Sequence, residues 1–138
     1  MYKTFRKQQI YLMNLIQKIL NDLKVELADK FDKNFSSGGF FGKKWKARKD
    51  GYETHLNNTG RLRSSIHSRI SGTSLTFTSD TPYSAVHNEG LRAGRGKGFI
   101  MPKRQFIGEY PGMDKTIERI AKDAVGEQVK LMVNKLKR

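Results

Sequence analysis

Leu12, Leu15, Ile16, Ile19, Leu23, Leu27 and Phe31 recur at steps of three and four, which is the spacing of one face of an α-helix. Lys18, Asn21, Asp22 and Lys24 turn away from that face. Phe35 extends the stripe, and "SSGG" stops it, so a long helix is predicted over about residues 6–35. A second stripe, built from Ile117, Ile120, Ala121, Ala124, Val125, Val129, Met132, Val133 and Leu136, predicts a helix near the C-terminus. Between the two stripes the period changes to two. Ile66, Ser68 and Ile70 precede "SGTS", and Leu75 and Phe77 follow it between threonines, the pattern of a β-hairpin.

Shorter elements fill the gaps. "NNTGRLRSSI" predicts a short helix or turn that carries Leu62 and Ile66 to the core, with Thr59 as its N-cap. "TPYSAVHNEG" predicts another, with Pro82 at the first helical position, Tyr83, Val86 and His87 on one face, and Gly90 after the last turn. "FIMPKRQFIG" reads as a short strand and turn. No internal repeat or linker interrupts the chain. The expectation is an α+β fold forming one domain over residues 1–138, with a small antiparallel sheet packed against a long N-terminal helix and a C-terminal helix.

Charge changes this picture more than composition does. The 138 residues are 36% hydrophobic and 29% charged, which suffices for one core. The chain carries 27 Lys and Arg against 13 Asp and Glu, a formal net charge of +14, so its surface attracts polyanions or acidic protein faces. The cations gather in two loops, at about 36–52 and 90–98. In the first, Lys43, Lys44, Lys46, Arg48 and Lys49 interleave with Phe40, Phe41, Trp45 and Tyr52. Such rings stack bases beside phosphate-binding cations, or pack back onto the domain while the lysines stay in water. In the second, Arg92, Arg95 and Lys97 sit among glycines without an acid, and a mobile loop is expected. Lys103 and Arg104 follow closely. These cations are the candidate contacts with a partner or DNA. Without cysteine there is neither a disulfide nor a thiolate zinc site. No apolar run is long enough for a membrane span, no leader pattern opens the chain, and no membrane partner is expected.

His87, Asn88 and Glu89 raise the question of catalysis. A ββα-type metal nuclease needs a general-base histidine, an orienting asparagine and a metal-binding histidine. His67 and Asn88 suit the first two roles, but no histidine follows His87. Acidic residues are scattered singly rather than clustered for a magnesium ion. "GRGKG" lacks the strand–loop–helix setting of a phosphate cradle, and the common hydrolase and metalloprotease motifs are absent. On a helix His87 and Glu89 diverge, and two ligands do not close a metal site. The expectation is therefore no catalytic residue, no metal and no cofactor, with His87 packed beside Tyr83 at i and i+4.

Four motifs in order carry a family resemblance. "GGFFGKKW" places Trp45 after a glycine-bearing segment. "LNNTGRLRSSI" matches a "TG.L..SI" element through Thr59, Gly60, Leu62, Ser65 and Ile66. "YSAVHNEG" matches "YA..H..G" through Tyr83, His87 and Gly90, with Ser84 in place of the usual alanine. "MPKRQFIG" matches "P.RPF.G" through Pro102, Arg104, Phe106 and Gly108, with Gln105 where proline is usual. From about residue 31 to 121 the chain resembles the phage virion morphogenesis family, the tail-completion proteins of Mu-like and related contractile-tailed phages. The resemblance implies a structural phage or prophage protein without catalytic residues. It would complete the tail or join tail to head, as a ring, often of six subunits in related proteins, among other tail or neck proteins, with non-specific DNA contact an open option. It would be assembled in the bacterial host cytoplasm and located in the virion. The alternative is a nucleic-acid-binding protein or small nuclease unrelated to the virion.

Overall fold

The computed structural model describes residues 2–51, 56 and 59–138. Tyr52, grouped above with the aromatic residues of the first basic segment, lies outside the described residues, as do Asn57 and Asn58 ahead of the "TG" element. The elements in order are α1 (Tyr2–Ser37), β1 (Gly39–Phe40), β2 (Lys43–Lys44), α2 (Arg61–Ser64), β3 (Ile66–Ser71), β4 (Ser74–Ser79), α3 (Ser84–Glu89), β5 (Arg92–Ala93), β6 (Phe99–Ile100) and α4 (Met113–Leu136). This is the expected α+β class, with long helices at both ends. The strands form three separate two-stranded ribbons, β1–β2, β3–β4 and β5–β6, instead of one small sheet. The reason is length: β1, β2, β5 and β6 have two residues each, too few to present an edge for further pairing.

At 36 residues, α1 is about 54 Å long, more than one small core can cover. The chain accordingly divides into two compact units, and both α1 and the β3–β4 hairpin contribute to each. The first unit holds residues 1–26, 70–75 and 112–138. Here α1 and α4 run antiparallel. The Tyr11 hydroxyl donates to Met132 Sδ at 3.3 Å, Lys18 pairs with Glu127 at 3.1 Å, and the Arg119 guanidinium grips the Glu26 carboxylate. Leu20, Leu23, Ile120 and Ala124 are buried. The Gln17 amide donates to Gly72 O in the hairpin turn at 2.9 Å.

The second unit holds residues 27–69 and 76–111. Its core begins with the lower α1 stripe, Leu27, Phe31 and Phe35, all buried. Burying side chains of this size contributes about 1.5–3 kcal/mol each. The Phe31 and Phe77 rings meet edge to face with centroids 5.0 Å apart, which fixes β4 on α1. The expected alternation holds along the hairpin: Ile66, Ser68, Ile70, Leu75 and Phe77 point to the half-buried side.

The short helices depart from expectation in their caps. α2 starts after Gly60, which has a left-handed backbone and no side chain to cap with. Thr59 lies one residue too early to be the N-cap, and its hydroxyl accepts only a long 3.4 Å bond from Arg61 N–H. In α3 the N-cap position belongs to Tyr83, so Pro82 precedes the helix instead of opening it. Gly90 ends α3 with φ 74°, as expected, and a Cβ there would sit 3.0 Å from the Lys103 backbone nitrogen.

Gly126 lies inside α4 with open space where a Cβ would be. Glycine weakens a helix through backbone entropy. Gly126→Ala should therefore raise unfolding free energy by about 0.5–1 kcal/mol, measured by urea denaturation. An unchanged midpoint would mean that α4 is frayed at this turn.

Candidate functional site

The segment from Met101 to Tyr110 has no regular secondary structure, yet Arg104, Phe106 and Tyr110 are buried. Its backbone groups need partners from elsewhere. The side-chain Oδ1 of Asn88 accepts from Phe106 N–H at 2.9 Å and from Ile107 N–H at 3.1 Å. The main-chain oxygen of His87 accepts from Arg104 N–H at 2.8 Å. From the other side, the Trp45 indole donates to Gln105 O at 2.8 Å, and the Asn34 amide donates to Phe106 O at 3.0 Å. Asn34 is 3% exposed, and its own oxygen accepts from Phe41 N–H at 3.1 Å. Phe106 thereby enters a cluster with Phe35, Trp45 and Leu62. Three of the four motifs meet at this cluster, and the α3 motif is tied to it by hydrogen bonds.

The histidine–asparagine pair is thus occupied by architecture. His87 stands edge to face with Tyr83 at 6.1 Å. Burial first, and the neighbouring Arg104 guanidinium second, hold its imidazole pKa below the usual value. Its Nδ1 is buried without a partner. Asn88, considered above as an orienting residue of a nuclease, spends its oxygen on two backbone donors. His67 lies on β3 and faces Asp80 at 3.3 Å. Among the described residues, no three His, Asp or Glu side chains come together as metal ligands.

The Trp45 ring packs in the core, against Phe35 at a centroid distance of 6.0 Å. Phe41 stacks flat on Tyr110 at 3.7 Å. Phe41 adopts a positive φ in the tight β1–β2 turn, a conformation uncommon outside glycine, and that stack and the bond to Asn34 hold it there. The lysines flanking these rings, Lys43, Lys44, Lys46 and Lys49, are exposed. Arg48 is exposed too, and pairs with Asp50 at 2.8 Å.

The second basic segment, expected as a loop, contains a short hairpin. Ala93 pairs with Phe99 and Arg92 with Ile100. The Arg92 guanidinium closes the turn on Lys97 O. Gly98 has φ 55°, and a Cβ there would come 2.3 Å from Ala93 O, so only glycine fits. Arg92, Arg95, Lys97 and Lys103 project into solvent. Arg104 does not. Counted above among the contact cations, it is 6% exposed and donates from Nε to Lys46 O at 3.1 Å. That bond joins the two basic segments: with the Trp45 bond to Gln105 O, it ties the residues after β2 to residues 104–105. Among the described residues, Lys43, Lys44, Lys46, Lys49, Arg92, Arg95, Lys97 and Lys103 have no ion-pair partner. Many of the acids are engaged elsewhere, in pairs such as Asp32–Arg63 at 2.5 Å, which holds the Asp32 carboxyl below its ordinary pKa through the Arg63 hydrogen bonds.

Two residues central to this site escaped the sequence reading. Asn34 is one; its signal is a polar residue between Phe31 and Phe35, on the apolar side of α1. Ser65 is the other, matched above as a motif letter without a role. It is buried, donates to Leu62 O at 2.7 Å, and shares a hydrogen bond with the Ser79 hydroxyl at 2.7 Å, locking α2 to the end of β4.

The exposed cations thus lie over a core in which the sequence motifs interlock. The chain matches the phage virion morphogenesis family over residues 10–126 and belongs to that family. It is 35% identical over 74 residues to the Mu-like prophage FluMu G protein 2 of Haemophilus influenzae. That match covers 54% of this chain and 52% of the relative, so the chain spans about half the length of the curated protein it matches. No solved structure matches. Among the described residues no helix is long and apolar enough to cross a membrane.

Two outcomes follow for the scaffold. Asn88→Ala leaves the Phe106 and Ile107 amides without their acceptor and should cost about 1–3 kcal/mol, read from denaturant melts; a change within error would mean water replaces the side chain. His87 sets a pH dependence. Its folded pKa lies below its unfolded value near 6.5, so the unfolded chain takes up a proton first. The stability it contributes is complete above about pH 6.5 and is lost as pH falls through the folded value. Melts between pH 7.5 and 5 should show this loss, and His87→Gln should flatten it.

Proposed function

We propose that the chain is a non-catalytic assembly protein that completes the phage tail or joins tail to head, acting as a ring among tail and neck proteins. Family membership supports the virion role, and the observation that carries the finer reading is the row of unpaired, exposed cations on the two short ribbons. Cations held on tight turns over a hydrogen-bonded core present charge in a fixed arrangement. That suits docking onto an acidic neighbour, where complementarity selects the partner and speeds encounter. Assembly would take place in the host cytoplasm and the protein would end in the virion.

A second reading has the same cations line a channel through which DNA passes. Contacts of that kind are sequence-independent and salt-sensitive. A free-standing DNA-binding protein or small nuclease is a third, and the family membership argues against it.

One variant separates the readings. Neutralising Arg92, Arg95 and Lys97 together should abolish head–tail joining in an assembly assay; all three are exposed, and because Arg92 also closes the β5–β6 turn on Lys97 O, circular dichroism of the variant checks that the fold is retained. If DNA is the partner, the wild type should bind duplex DNA at physiological salt, and the variant should flatten the salt dependence by a slope of about three. If an acidic protein is the partner, DNA affinity is weak in both and only joining is lost. Normal joining by the triple variant would remove the basis for the proposal.

A further inference from the structure

Helix α4 has two apolar faces. One, with Ile120 and Ala124, is buried against α1 within its unit. The other consists of Val125, Val129, Met132 and Leu136, which are 45%, 52%, 50% and 87% exposed; Met132 lies at its edge toward α1, where its Sδ accepts from the Tyr11 hydroxyl. Their spacing of four, three and four is that of a coiled-coil seam. Val133 widens the stripe, at 42% exposure. A stripe of this kind left in water is an interaction surface.

We infer that this seam of α4 docks an acidic amphipathic helix from another virion protein. Charge selects the partner. Lys135 and Lys137 lie about 100° to either side of the seam by helical geometry, and no acidic side chain occurs from residue 128 to 138. Glu127 is turned away, in its pair with Lys18. A second copy of the chain would bring lysines against lysines and is disfavoured. A membrane surface would also accept cations beside an apolar face. The heptad spacing of the seam, however, offers a narrow groove for knobs from one facing helix, which is what selects a helix over a membrane surface.

The family match supplies an independent pointer. It ends at residue 126, so most of the seam lies beyond the part that matches the family. A surface carried outside the matched region is where recognition specific to one phage's partner can reside. The inference uses the family membership alone and does not depend on tail completion being the step involved.

The test places the photo-crosslinker p-benzoylphenylalanine at Val129 during particle assembly from the full chain, with the same group at Asp123 as control. Asp123 is exposed and lies on a different side of α4, where it pairs with Arg119. The expected result is a Val129-specific crosslink to a helical segment of another virion protein, rich in Asp and Glu. Crosslinks to a second copy, to lipid, or equally from both positions would overturn the inference. A second measurement avoids dependence on assembly. A designed heptad peptide with leucines at its seam and glutamates beside it should bind the purified chain, and the double change Lys135→Glu with Lys137→Glu should weaken binding about tenfold at low salt. Equal binding by a lysine-flanked version of the peptide would also overturn it. Should the seam fail while particles still require the protein, the assembly role stands without this partner. If particles form normally without the protein, the proposed function itself fails.

Discussion

The structure of the second unit depends on burying a stretch of chain that belongs to no helix or sheet. Residues 101–110 cannot satisfy their own backbone groups, and an unpaired buried amide or carbonyl costs as much as a lost hydrogen bond. Asn88, Asn34, the Trp45 indole and the His87 carbonyl oxygen provide the missing partners. Each comes from a different stretch of sequence or a different face of the segment. Only when α1, β2 and α3 are in place together can Phe106 reach Phe35 and Leu62. The order of motifs along the chain is therefore the order of the pieces that close on one irregular strand of backbone.

The same constraint explains the distribution of charge. Residues 38–49 and 90–108 contain no Asp or Glu. The acids lie mostly on α1 and α4, where Asp22, Glu26, Asp29, Asp32, Glu118, Asp123 and Glu127 all find cationic partners. Those pairs are largely exposed and contribute little stability singly. Their effect is to offset part of the positive charge of the helices and of α2, leaving most of the net positive charge on the two basic segments. Arg104 marks the inner limit of that basic edge: its charge is drawn inward to Lys46 O, and what it gives the edge is alignment of the two segments.

Periodicity made the long elements legible. The α1 and α4 stripes and the Ile66–Phe77 alternation each repeat over several turns or residue pairs, so the elements follow from local pattern; burial follows it along Leu20–Phe35 of α1, whereas in α4 only Ile120 and Ala124 of the stripe are buried. It failed where one or two residues decide the geometry. Thr59 has the chemistry of an N-cap, but the left-handed Gly60 next to it takes the position. The glycines of "LRAGRGKG" suggest freedom, yet at Gly98 the absence of a side chain is what permits a close turn. The three ribbons do not merge because strand length is set by tertiary space, which the alternation of residues does not encode. In the site itself, Trp45 and Phe106 were legible as motif residues, while their partners were not. A hydrogen bond from Asn34 to a residue 72 positions away leaves only a faint local trace, a polar side chain within an apolar stripe.

A protein that acts by contact has different requirements from one that acts by chemistry. A catalyst must hold a few atoms near a reacting bond; a docking protein must hold a surface to which another surface can fit. A buried Trp45 between exposed Lys44 and Lys46, and a buried Arg104 after exposed Lys103, are anchors of that kind. On the proposed reading, this is why aromatic residues and cations alternate in the first basic segment. The rings fasten the ribbon to the core, and the lysines between them are thereby aimed outward, so a pattern that resembles a nucleic-acid platform arises from anchoring a charged edge.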